Sequence, residues 1–252
     1  MGAGHAHALY IHEHSPIHRL APEVKVAAVL LFVVSVAITP REAVWAFGIY
    51  AALAVVVVLL ARVPLRFLAL RLLGILPFIL FAFLVPFIAG GERTELLWFT
   101  ISLDGLWSAW NIIAKATLGA TASIVLVATT DVPGILRGMS KLRVPVLIVS
   151  IAGFMVRYVE LIVDELGRMR LAMTSRGYSP RWLTQVRPIA TGAGAMFIRS
   201  YERGERVHSA MVSRGFTGVM PTIVETRVTG GQWFGGMFIS VLAFFVAVLT
   251  LI

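Results

Sequence analysis

The chain has 252 residues, of which 58% are hydrophobic and 14% charged. A soluble domain carries about 25% charged residues, so the composition excludes an ordinary soluble globule and points into the membrane. The net charge of +9 comes without runs of consecutive Lys or Arg, which argues against a nucleic-acid-binding arm, and the absence of cysteine removes disulfides, zinc–thiolate sites and thiol catalysis.

Residues 1–25 read as a polar, His-rich cytoplasmic tail without the layout of a signal peptide. It holds His5, His7, His12, His14 and His18. Imidazole suits cobalt, nickel and zinc. In the first eighteen residues, however, Glu13 is the sole carboxylate and the spacing matches no known site, so no metal is assigned. Residues 26–130 carry four apolar segments, at 26–39, 43–61, 72–89 and 106–130, and a fifth follows at 232–252. About twenty apolar residues span the hydrocarbon core, which makes the first segment short. Pro77 and Pro86 should kink the third. Asn111 and Lys115 fall inside the fourth, where Lys115 would meet a partner or reach toward the outer surface.

Positive residues set the orientation. Arg19 and Lys25 precede the first segment, and Arg62, Arg66 and Arg71 separate the second from the third. The remaining connections are poorer in cations, which places the N-terminus inside and the C-terminus outside. Trp98, Trp107 and Trp110 gather at the outer end of the fourth segment, as an interfacial belt does.

Residues 131–231 hold 14 of the 22 Lys and Arg residues and fall on the cytoplasmic side. The pattern predicts a short helix over 132–141, with Asp131 as N-cap, ahead of Pro145. A long amphipathic helix follows. Arg157, Glu160, Asp164 and Arg168 line one face, and Met155, Val159, Ile162, Leu166, Met169 and Met173 line the other. A second long helix is expected over 189–213, with Glu202 and Arg206 spaced as an ion pair. Ala190, Gly192, Ala193, Gly194 and Ala195 form a small-residue patch suited to a close helix crossing, and His208 reads as a surface residue. The fold class is therefore an all-α membrane protein, with about five transmembrane helices and a cytoplasmic module of amphipathic helices.

Each long helix should end in nearly the same phrase. AMTSRGY occupies residues 172–178 and AMVSRGF residues 210–216. Glycine commonly sits just past a helix, and an arginine in the last turn is favoured by the dipole. Both letters are therefore consistent with a plain stop signal. Duplication of the Met, the Arg and the aromatic ring points further, to a docking tip. Its always-charged guanidinium would enter an acidic pocket while the apolar side chains pack along the rim.

These motifs, Ser175-Arg176-Gly177 and Ser213-Arg214-Gly215, follow a set of membrane spans and lie on amphipathic cytoplasmic helices. The arrangement resembles the transmembrane (T) component of energy-coupling factor (ECF) transporters, most closely the cobalt and nickel branch of CbiQ-like proteins. The family pattern reads Ala-Arg-Gly, and serine keeps its first position small. HSPIHRLAPEVKV before the first span and TTDVPGILRGMSKLRVP at 129–145 also resemble the family. The resemblance implies two ATP-binding cassette ATPase subunits that receive Arg176 and Arg214. It also implies a separate substrate-binding S component, CbiM-like, with room for a small accessory membrane subunit. On this reading the chain is a non-catalytic coupling subunit in the cell membrane, contacting lipid but no nucleic acid, and needing no cofactor.

Two other functions remain open on the sequence. One is an intramembrane lipid-modifying enzyme, for which Asp164-Glu165 would be the sole adjacent acidic pair near the membrane face. The other is a stand-alone secondary transporter, for which Lys115 and the kinked third span are the features to hand. No Gly-x-x-x-x-Gly-Lys-Ser/Thr loop occurs, so ATP hydrolysis is not expected of this chain.

Overall fold

A computed structural model describes residues 15–90, 93–96, 99–178, 187–218 and 228–251. The helices are α1 (Pro22–Ile38), α2 (Val44–Ala61), α3 (Leu65–Leu72), α4 (Leu76–Ile88), α5 (Leu103–Thr129), α6 (Val132–Lys141), α7 (Val146–Ser175), α8 (Arg187–Val212) and α9 (Gly230–Leu249). They sort into two units, a bundle of residues 15–142 and 228–251, and a helical pair within residues 143–218. Between α4 and α5 two short antiparallel strands, β1 (Arg93–Leu96) and β2 (Phe99–Ser102), pair Arg93 with Ser102 and Leu96 with Phe99.

Proline sets several helix starts. Pro22, Pro77 and Pro133 occupy the first turns of α1, α4 and α6, where a missing N–H costs nothing. A 3₁₀ turn, Leu73–Ile75, joins α3 to α4, so the third apolar segment begins at Leu65 and is interrupted just before Pro77. Pro86 lies buried inside α4. A Cβ built on Gly105 of α5 would sit 2.7 Å from its Cα, so glycine is what lets the two helices approach there. Ser102 caps α5 by accepting from the Gly105 N–H at 3.2 Å, and donates to the Gly90 carbonyl at 3.1 Å.

The bundle has a true core. Phe32 and Val36 of α1, Ala46, Phe47 and Tyr50 of α2, Leu118 of α5, and Ala243 and Val246 of α9 form one buried cluster. Tyr50 is 0% exposed, with Phe32 and Phe47 edge-on at centroid distances of 6.1 and 6.2 Å. Its hydroxyl is paired with Thr39 Oγ1 at 2.9 Å, which removes the penalty of a bare polar atom in an apolar interior. A second cluster, of Val58, Ala61, Val63, Val125 and Ala128, packs the other end of α2 on α5. The first turn of α1 is gripped on two sides. Gly138 of α6 lies against the Pro22 backbone, and Gly236 of α9 against Val24 and Leu20.

Among the described residues, five helical stretches are long and apolar enough to cross a membrane: α2, Leu65–Ile88, α5, α7 and α9. The class is as expected, and the membership differs in two places. α1 has 17 residues and is slightly short. α7, anticipated as an amphipathic helix first traceable near Met155, begins at Val146 and gains an apolar first half. The run from Val144 to Val156 is too short to signal a span alone. Joined to the amphipathic stretch, it makes a continuous 30-residue helix.

Of the two polar residues singled out in the fourth segment, Lys115 has a local partner. Lys115 Nζ donates to the Ala37 carbonyl at 2.8 Å, satisfying an orphan acceptor in the last turn of α1. The Asn111 Oδ1 is buried without a hydrogen-bond partner among the described residues. Trp107 and Trp110 are exposed, and Trp110 also meets Phe47 edge-on at 6.5 Å. Trp98 lies outside the described residues, as do His5, His7, His12 and His14. His18 Nδ1 pairs with Ser15 Oγ at 2.7 Å. Among the described residues no group of three metal-ligating side chains occurs.

Candidate functional site: two arginine-tipped helix ends

The two copies of the repeated phrase fold into the same cap. At the end of α7, the Tyr178 N–H donates to Met173 O at 3.0 Å and the Gly177 N–H to Thr174 O at 3.0 Å. At the end of α8, the Phe216 N–H donates to Met211 O at 3.0 Å and the Gly215 N–H to Val212 O at 2.9 Å. Both are Schellman motifs, with glycine at the position that must turn left-handed. Gly177 has φ +78° and Gly215 φ +82°, where a side chain would be strained. Each serine is tied down as well. Ser175 Oγ donates to Leu171 O and Ser213 Oγ to Ser209 O, both at 2.9 Å.

This geometry reassigns part of the phrase. A Schellman cap commonly carries an apolar contact between the residue at C3 and the one at C″, and here those are Met173 with Tyr178 and Met211 with Phe216. All four are half-buried, whereas Ser175, Arg176, Gly177, Ser213, Arg214 and Gly215 are exposed. The Met and the ring, read from sequence as groove contacts, thus also stand where such a cap places its apolar pair. The arginine occupies the C-cap, makes no ion pair among the described residues, and projects from a rigid, twice hydrogen-bonded turn.

α7 and α8 run antiparallel. Met169 of α7 meets Gly192 of α8, where an added Cβ would sit 2.7 Å from the methionine sulfur. Farther toward the start of α7, Glu165 accepts from Arg199 Nη1 at 3.1 Å and from Arg203 at 3.5 Å. Farther still, Phe154, Tyr158 and Ile162 face Gly204, Val207 and Met211 across a cavity of 390 Å³ that His208 also lines. At 1.5 Å per residue, Arg176 lies about 10 Å beyond the Met169–Gly192 contact on one side and Arg214 about 33 Å on the other. The two guanidinium groups therefore stand at opposite ends of the pair, on the order of 40 Å apart along the helices. They cannot converge on one ligand in this arrangement.

Three details differ from the sequence pattern. Asp131 holds the N-cap position of α6 by its backbone, but its side chain makes no capping hydrogen bond. Glu202 and Arg206 do pair, at 3.8 Å, whereas no Asp164–Arg168 ion pair forms. Of the acidic pair Asp164-Glu165, Glu165 is committed to two arginines of α8. Spacing along one helix could not have revealed contacts across 34 and 38 residues.

The geometry defines a class: a multi-pass α-helical membrane protein carrying a pair of long helices with matching arginine tips. Comparison with known proteins narrows it. The family model of CbiQ, the cobalt transport protein, matches residues 13–225, and the chain belongs to this family. It is 28% identical over 229 residues to the energy-coupling factor transporter transmembrane protein EcfT of Bacillus selenitireducens, covering 83% of this chain and 82% of that one. It is 26% identical to the cobalt transport protein CbiQ of Rhodobacter capsulatus, over 73% of each chain. It also matches a putative fused cobalt transport protein CbiMQ of Methanocorpusculum labreanum, 25% identical over 48% of this chain and 20% of that one. The chain is a transmembrane component of the ECF type.

Proposed function

We propose that this chain couples ATP hydrolysis in two partner ATPases to the movement of a separate substrate-binding membrane subunit. Arg176 and Arg214 are the docking plugs, each held by Ser175 and Gly177 or by Ser213 and Gly215. The observation that carries the reading is the pair of matching caps, each presenting an arginine that makes no ion pair among the described residues, about 40 Å from the other. One plug per ATPase follows from that separation. The module of residues 131–231 faces the cytoplasm with the N-terminus, as the excess of cations indicates. The fused CbiMQ relative supports a CbiM-like partner, and the relatives named for cobalt transport support cobalt, or nickel, as cargo. The chain itself is non-catalytic in this scheme.

The test is the double substitution Arg176→Glu with Arg214→Glu, assembled with the ATPases and the substrate-binding subunit. Truncating one partner of a buried charge contact costs about 2–5 kcal/mol, so the reversed charges should reduce ATPase co-elution at least thirtyfold and abolish uptake. Each single variant should retain one ATPase. Normal co-elution and uptake by the double variant would end the docking reading.

A further inference from the structure

The bundle holds a cavity that the coupling role does not use. It has a volume of 320 Å³ and lies among the first turns of α1 and α9 and the last turns of α2 and α5. Its wall is apolar, with Ala28, Phe32, Val57, Ala122, Val125 and Ile239 contributing. In depth it runs from Lys25 to Phe32 on α1 and from Thr129 to Thr121 on α5, roughly 12 Å at 1.5 Å per residue. One leaflet of the hydrocarbon core is about 15 Å thick.

One end of this cavity is charged. Lys25 lines it and is 7% exposed. Its ammonium donates to the Thr129 carbonyl at 2.8 Å and makes no ion pair among the described residues, although Asp131 lies nearby. An ammonium has three donors, so two have no protein acceptor among these residues. A cation buried at the head of an apolar slot, with so little compensation, is costly when empty and matched by an anion attached to a hydrocarbon tail. Ser240, 5% exposed, adds a hydroxyl on the α9 side.

We propose that this cavity binds one acyl chain of an anionic phospholipid, with its phosphate on Lys25. A phospholipid is favoured over a partner helix because 320 Å³ over that depth is too small for a helix about 10 Å across, while the cationic end matches a phosphate. The bound lipid would fasten α1 to α5 and α9 at the end where α6 also grips α1.

Native mass spectrometry of the full chain after detergent exchange tests this, with phosphatidylglycerol, phosphatidylcholine and oleate as probes. One phosphatidylglycerol should be retained per chain, in preference to the other two. A Lys or Arg near the membrane surface contributes about 1 kcal/mol toward an anionic lipid, so Lys25→Gln should weaken retention about fivefold and Lys25→Arg should largely restore it. Ala122→Leu, which fills the slot, should lower the stoichiometry without removing the preference for anionic lipid at the surface. Should either variant fail to fold, the wild-type chain alone is read: phosphatidylglycerol should raise its thermal midpoint in detergent more than phosphatidylcholine does, and equal midpoints would count against the site. Equal retention of all three probes, preference for oleate, or displacement of the lipid by a co-purified protein chain would each overturn the proposal.

Discussion

The bundle and the helical pair solve opposite problems. In the bundle, Tyr50, Phe47, Val36, Ala243 and Val246 are buried by one another, and the Tyr50 and Thr39 hydroxyls among them are paired. In the pair, α7 and α8 contain no buried residue at all. Leu147 is 71% exposed and Phe197 73%. What joins the two helices is a close approach at Gly192, the Glu165 carboxylate shared by Arg199 and Arg203, and a cavity where a core would otherwise be. The difference teaches where each unit's order comes from. The bundle is held by its own packing, whereas the pair owes its shape to helix propensity, two caps and one ionic contact, and presents its apolar faces to lipid or to another chain.

The comparison can be broken first at its strongest point. Tyr50→Ala removes a fully buried ring, so it should destabilise the bundle by about 3–5 kcal/mol, read as a large drop in the thermal midpoint in detergent. Leu147→Ala in α7 should leave that midpoint within about 0.5 kcal/mol of the parent. Comparable losses would show that α7 is packed after all. Next come the caps. Gly177→Val and Gly215→Val force a branched side chain into the left-handed region, at about 1–2 kcal/mol each. The expected readout is faster amide exchange confined to residues 173–178 or 211–216 and weaker ATPase retention, with the bundle's midpoint unchanged. The smallest effect is expected at Glu165→Gln. Spin labels on residues 172 and 208 should show a broadened distance distribution, with uptake reduced but present. A distribution as narrow as the parent's would mean that packing, not charge, sets the crossing.

Much of this was legible in the residues. The short helix over 132–141 coincides with α6, because Pro133 suits its first turn and Pro145 follows shortly after its end. The membrane class follows from composition, and the repeated phrase led directly to both helix ends. Two things lay beyond reach. The start of α7 was hidden because its apolar first half is shorter than a span and its charges begin only at Arg157. The partners of Lys115, Lys25 and Glu165 lie 78, 104 and 34 to 38 residues away, and no periodicity encodes contacts at such separations. The duplicated Met and aromatic ring have a second physical reading, since they stand where a well-made helix end places its apolar clasp, and the arginine has no such alternative.

Glu165 stands about 16 Å from the Arg176 tip along α7, and its partners Arg199 and Arg203 stand about 16–22 Å from the Arg214 tip along α8. The ionic contact therefore falls near the midpoint between the two arginine tips. In the proposed coupling role such a pair works like shears riveted near the middle. Turning the blades by about 10° sweeps each end through roughly 3 Å, enough to carry a motion imposed at the handles to whatever rests across the crossing.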